Sequence, residues 1–160
     1  MLPSEPDTPN SKPDEGQLAR TLRRFMLAVL IFAMSGTFVD LMLLDHHGDP
    51  WQMIPLALLV TAALTLASHA IHGCRASVRA VQVVMLFFVA GGLTGVGLHF
   101  SASAEFHTEM DATLSGASLV WNVLHSKVPP TLAPASLIQM GLLGLAFTYR
   151  HPKRLVRSKY

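Results

Sequence analysis

Cysteine is nearly absent: Cys74 is the only one in 160 residues. That excludes an intramolecular disulfide, a Cys-x-x-Cys redox pair and a cysteine-rich zinc site. Charge is scarce too, at 14% of residues, against about 25% in ordinary soluble domains. Net charge is only +2, so the pI of 9.0 gives no reason to expect a nucleic-acid partner. The N-terminus lacks a basic start followed at once by an apolar stretch, so no cleavable leader is expected there.

What remains is apolar. Hydrophobic residues make up 51% of the chain, and mean hydropathy is +0.41. A chain of this length cannot hide that much apolar surface in one soluble core. The apolar residues are gathered into four runs, at 25–44, 51–70, 80–100 and 132–149. A bilayer core of about 30 Å needs about 20 apolar residues in a helix rising about 1.5 Å per residue. Backbone polar groups in lipid must pair within their own segment, and these runs are too long for barrel strands. The expected fold class is an all-α integral membrane protein: four transmembrane helices in an antiparallel bundle, with the bilayer itself as a partner.

The flanks set the expected direction. Eleven of the twelve Lys and Arg residues lie before the first run, between the second and third, or after the fourth. Only Lys127 falls on the other side. The positive-inside tendency then places both termini in the cytoplasm, and a bacterial-type plasma (inner) membrane is the expected location. Residues 1–17, with four prolines among scattered acids, are expected to be disordered, because they cannot bury enough apolar area to offset ordering entropy. Residues 150–160 form a basic tail. Between the third and fourth runs, Leu114, Ala117, Trp121, Leu124 and Val128 repeat at helical spacing. They predict a short amphipathic helix over 115–126, capped by Ser115 or Thr113, on the membrane surface or folded over the bundle. Residues 101–110 read as an extension of the third helix.

Ionisable groups collect on the side opposite the basic flanks. Asp45, His46, His47 and Asp49 crowd the first loop, and His99, Glu105, His107, Glu109, Asp111 and His125 follow later. Imidazole with carboxylate suits divalent transition metals. If 99–111 is helical, His99, Ser103, His107 and Asp111 share one face at spacings of four. His107 and Asp111 would chelate one ion, with His46, His47 or Asp49 approaching from the first loop. The plainer reading is a solvated acidic face, and the sequence has no compact metal motif such as His-Glu-x-x-His. No cofactor is required by the sequence.

Asp40 stands inside the first run near its outer end, where a carboxylate is costly. His99 is at similar depth, and the two are candidates for a buried polar pair. His69 and His72 sit near the cytoplasmic end of the second run. Haem is not expected there, since His99 is at the other end and His151 lies beyond the fourth run. Gly91 with Gly95, and Gly141 with Gly144, read as close-packing positions between helices, within one chain or in a homodimer. The Gly91–Gly97 cluster does not read as a nucleotide loop, because it lies inside a span with no strand before it.

Without a nucleophile–base pair or phosphate loop, catalysis has no local support, and an enzyme is not the expected class. Two classes of function remain. One is a non-catalytic subunit or assembly partner packing against other membrane subunits. The other is a small transport, metal-handling or redox-linked protein using the outer His/carboxylate face.

Overall fold

A computed structural model describes residues 15–44, 48, 50–126 and 132–151. The described residues form helices and no strands: α1 (Glu15–Leu43), α2 (Pro50–His72), α3 (Arg75–Met110), α4 (Gly116–Leu124) and α5 (Leu132–Thr148). Three of these, α1 to α3, are long and apolar enough to cross a membrane, and α5 contributes a shorter apolar helix, Pro134–Thr148.

Two helices are longer than the apolar runs that mark them. α1 starts at Glu15, inside the stretch expected to be disordered and well before the run at 25–44. Its first turns are built from Gln17, Leu18, Ala19, Arg20 and Leu22, good helix formers whose propensity does not depend on lipid. α3 runs 36 residues to Met110, so the suggested extension over 101–110 is helical. The turn between α2 and α3 is made by Gly73, whose φ of 54° is the left-handed conformation that a glycine adopts without strain. Its N–H closes α2 on the His69 carbonyl at 2.9 Å.

α5 packs between α1 and α3, and α2 contacts α3 and, more lightly, α1. α1 and α3 therefore occupy opposite corners. The α3–α5 contact is the most intimate, and glycine makes it so. A Cβ on Gly92 would lie 2.6 Å from Ile138 Cγ1 and 2.8 Å from the Pro134 carbonyl, and one on Gly95 would lie 2.9 Å from Pro134 Cβ. From the other side, a Cβ on Gly141 would meet the Met85 carbonyl at 2.7 Å, and one on Gly144 would collide with Met85 Sδ. Pairing 92 and 95 with 134 and 138, and 85 and 89 with 141 and 144, makes the two helices antiparallel.

The expected pair of Gly91 and Gly95 is split by this geometry. Gly91 faces α2, where a Cβ would stand 3.1 Å from Leu58 Cδ1. Gly92, one position on, meets α5 instead. The close approach thus uses the three-residue spacing Gly92–Gly95, which is the spacing of Gly141–Gly144 as well.

The interior is filled by Leu30, Met34, Leu59, Ala62, Val81, Met85, Phe88 and Met140. The outward faces are no more polar than the interior: Phe32 is 80% exposed, Leu64 66% and Phe87 58%. A water-soluble helical protein covers such residues; a lipid-facing surface does not need to.

Contacts between helices also fix their register. The Arg23 guanidinium reaches the carbonyls of Tyr149 and Arg150, so those levels coincide. Counting about 1.5 Å per residue from there, Pro134 and Gly95 stand about 23 Å up, Asp40 about 26 Å and His99 about 29 Å. α1 ends about 30 Å up, and α2 starts at about 24 Å if His69 is level with Ser77, to which it is bonded. α3 alone continues, carrying Met110 to about 45 Å.

Candidate functional site

The two ends of this assembly are chemically different. At the Arg23 end, His69 is buried and its Nδ1 lies 2.9 Å from Ser77 Oγ. Ser77 gives its own hydroxyl proton to the Cys74 carbonyl at 2.8 Å. A hydroxyl has one proton to donate, so His69 must donate its Nδ1–H to Ser77. The tautomer of His69 is thereby fixed by the fold. His151 packs its ring against His69 with centroids 5.0 Å apart and planes at 79°, and Phe147 stands edge-on to both.

The backbone that carries His151 is set by Arg150, which has a φ of 45°. A side chain at such an angle is uncommon and needs support from its surroundings. Arg23 supplies part of that support by donating to the Arg150 carbonyl at 3.0 Å. Cys74 precedes the first turn of α3 and is exposed. The Ser77 backbone N–H holds the thiol below its ordinary value by favouring the thiolate.

The sequence reading kept His151 apart from His69 because it lies beyond the last apolar run. α5 nevertheless ends at Thr148, and the left-handed turn at Arg150 folds His151 back over the α2 terminus. One signal was available: a histidine two residues beyond the last apolar run, which closes on Tyr149, at the same end of the runs as His69. Spacing alone does not reveal the turn.

The far end holds the residues singled out for chemistry. Asp40 and His99 are both exposed, on helices at opposite corners, and no hydrogen bond or ion pair between them is seen. The equal depth expected for them is present, within about one helical turn. His99, Ser103 and His107 do share a helical face, since α3 is continuous through them. Asp111 does not join that face. It caps α3 with an extended φ of −146°, which breaks the helical spacing after Met110.

The Asp111 carboxylate is turned toward Thr113, accepting from its N–H at 2.9 Å and its hydroxyl at 2.6 Å. Those two bonds hold the carboxyl below the ordinary carboxylate range. The chelate expected from His107 and Asp111 is therefore not assembled. Among the described residues, His, Cys, Asp and Glu form no group of three or more placed to hold a metal ion. His46, His47 and Asp49 lie outside the described residues.

The amphipathic helix is present as α4, with Ser115 at its N-cap. The Ser115 N–H reaches Ser118 Oγ at 3.3 Å, and His125 stacks on Trp121 with ring centroids 3.8 Å apart. The residue it buries is not on the face of Ala117, Trp121 and Leu124 that the spacing marks out. Val123 is fully buried, whereas Trp121 is 64% exposed and Leu124 also points away. α4 leans on α3 through the Val123 side and turns the Trp121 side outward.

No family model, curated protein or solved structure matches this chain.

Proposed function

We propose that this chain is a four-span protein of the bacterial plasma membrane, with both termini cytoplasmic, that serves as a non-catalytic subunit or assembly partner of a larger membrane complex. One observation carries the reading: among the described residues the interior is apolar packing, except that the buried polar residues His69, Ser77 and Thr148 sit at the Arg23 end. Such an interior suits a scaffold better than a conduit, because ions and polar solutes need polar groups along their path. The fourth span is α5. Its 17 residues cover about 25 Å, and its register carries it from the Arg23 level to within a few ångströms of the top of α1. The six described Lys and Arg residues, Arg20, Arg23, Arg24, Arg75, Arg79 and Arg150, all belong to the Arg23 end, which supports placing that end inside.

Cys74 makes the orientation testable without engineering, since it is the only cysteine in the chain. A membrane-impermeant maleimide should label it in inverted vesicles and not in intact cells. The assembly reading is tested by the native mass of the gently solubilised protein: a stoichiometric complex with another polypeptide supports it, and a mass of the chain alone overturns it. A second reading, small transport or metal handling at the His/carboxylate end, is favoured by the shared face of His99, Ser103 and His107. Metal analysis of the purified protein, and its loss in a His46/His47/His107 alanine variant, would support that reading instead.

A further inference from the structure

Within the assembly, the stripe of α3 that faces its neighbours runs through Val81, Met85, Phe88 and Gly92, all buried. The spacing is four, three and four. Continued along the same helix it passes through Gly95 and His99 and reaches Phe106 and Met110. The stripe is thus the same seam throughout, but its cover is not. α1, α2 and α5 have all ended by about 30 Å above the Arg23 level, whereas Phe106 and Met110 stand at about 39 Å and 45 Å. Phe106 is 60% exposed and Met110 74%. α4 does not cover them, and its own outward face adds exposed Trp121 and Leu124. Glu105 and Glu109, one turn apart and both exposed, border the stripe, and exposed Asp111 follows.

We infer that this projecting part of α3 is a docking surface for a different polypeptide: a segment with an apolar seam flanked by Lys or Arg. The inference rests on the assembly reading and names the partner's chemistry. Charge decides among the occupants. A second copy in the same membrane is a poor fit, because eleven of the twelve Lys and Arg residues of this chain fall at the opposite end by sequence and only Lys127 on this one. An anionic lipid surface is repelled by Glu105, Glu109 and Asp111. Lipid is also out of reach, since the headgroup layer adds only about 5–8 Å to each side of the hydrocarbon core, and Met110 lies about 15 Å beyond the top of α1. A basic-flanked apolar segment satisfies both the seam and its acidic border.

The test is photo-crosslinking of the full chain in native membranes. A photoreactive phenylalanine is placed at 106 or 110, and at 64 or 87 as lipid-facing controls. The expected result is one adduct from 106 and 110 whose sequenced peptide carries apolar residues bordered by Lys or Arg. A Glu105→Lys/Glu109→Lys variant should cut its yield about tenfold, with helicity and membrane insertion unchanged. Adducts at 106 and 110 to a second copy, to lipid or to nothing overturn the surface, as does a yield that the charge reversal does not move. If 64 or 87 captures a partner polypeptide while 106 and 110 do not, the assembly reading stands and only the surface falls. If no position captures protein and the native mass is that of the chain alone, the assembly reading falls with it.

Discussion

The Arg23 end ties helices together, while the side-chain bonds seen at the far end are local. Arg23 joins α1 to the backbone after α5, His69 joins α2 to α3, and His151 and Phe147 close over His69. At the far end, Thr108 bonds the Ala104 carbonyl, Asp111 bonds Thr113, Ser118 bonds Ser115 and His125 lies against the Trp121 carbonyl, each within a turn of itself. Among the described residues, Asp40, His99 and Asp111 are therefore not those that knit the fold. The plainer residues at the Arg23 end have a larger share in stability, and the far end remains available for contacts outside the chain.

The sharpest contrast lies between glycines. Gly141→Leu drives new atoms into the Met85 backbone carbonyl, 2.7 Å from the first added carbon. Overpacking of this kind costs about 1–3 kcal/mol and more when backbone must move, so we expect the upper part of that range. Gly97→Ala at the far end meets nothing within 4 Å and should stabilise α3 by about 0.5–1 kcal/mol, through lower chain entropy before folding. Unfolding by a denaturing detergent at fixed micelle composition measures both. Equal losses would abolish the distinction between the packed middle of the assembly and the far end.

Histidines give the next contrast. His69→Ala removes a buried ring and its bond to Ser77, for an expected loss of about 2 kcal/mol. His99→Ala, at an exposed site, should stay within about 0.5 kcal/mol of the parent. A large effect at His99 in the purified single chain would mean that the far end has a structural bond of its own. Smaller again is Arg23→Gln, which weakens two bonds to carbonyls at an exposed site; about 1 kcal/mol or less is expected. Its signature is local: faster amide exchange at His151, whose N–H bonds the Thr148 carbonyl, with the middle of α3 unchanged.

How much of this was legible beforehand follows from what periodicity encodes. The apolar runs located every long helix, because lipid demands a minimum length of apolar chain. They did not show that α1 begins at Glu15, because helix formation at residues 15–24 depends on propensity and not on hydropathy. Spacing found Gly95, Gly141 and Gly144 as small positions near a neighbour but chose Gly91 over Gly92. With two glycines in succession, only the placement of α2 and α5 says which one meets which helix. Spacing also found α4 and its face of Ala117, Trp121 and Leu124, left to the membrane surface or the bundle, but not that Val123, off that face, is the residue buried in the fold. His69 and His151 escaped because a left-handed residue at Arg150 leaves no periodic trace. Exposure of Asp40 and His99 was equally illegible, since depth can be counted along a sequence but the corner a helix occupies cannot.

The smallest effect tests whether the far end is as local as it looks. Asp111 accepts two bonds from Thr113, and its carboxyl is held below the ordinary range. A carboxylate with a depressed value in the folded state contributes its stabilisation above the unfolded value, and loses it as pH falls through the lower folded value. The turn after α3 should therefore be intact at neutral pH and loosen only in acid, below the range where an ordinary aspartate protonates. Thr113→Val removes the hydroxyl donor, the first cause of the shift, and should raise the Asp111 value toward the ordinary one, as followed by carboxyl NMR. The rest of the molecule should not respond, because neither Asp111 nor Thr113 bonds to another helix. If acid protonation of Asp111 also moved signals of α1 or α2, the far end would be coupled to the assembly after all, and the contrast between the two ends would narrow to one of exposure.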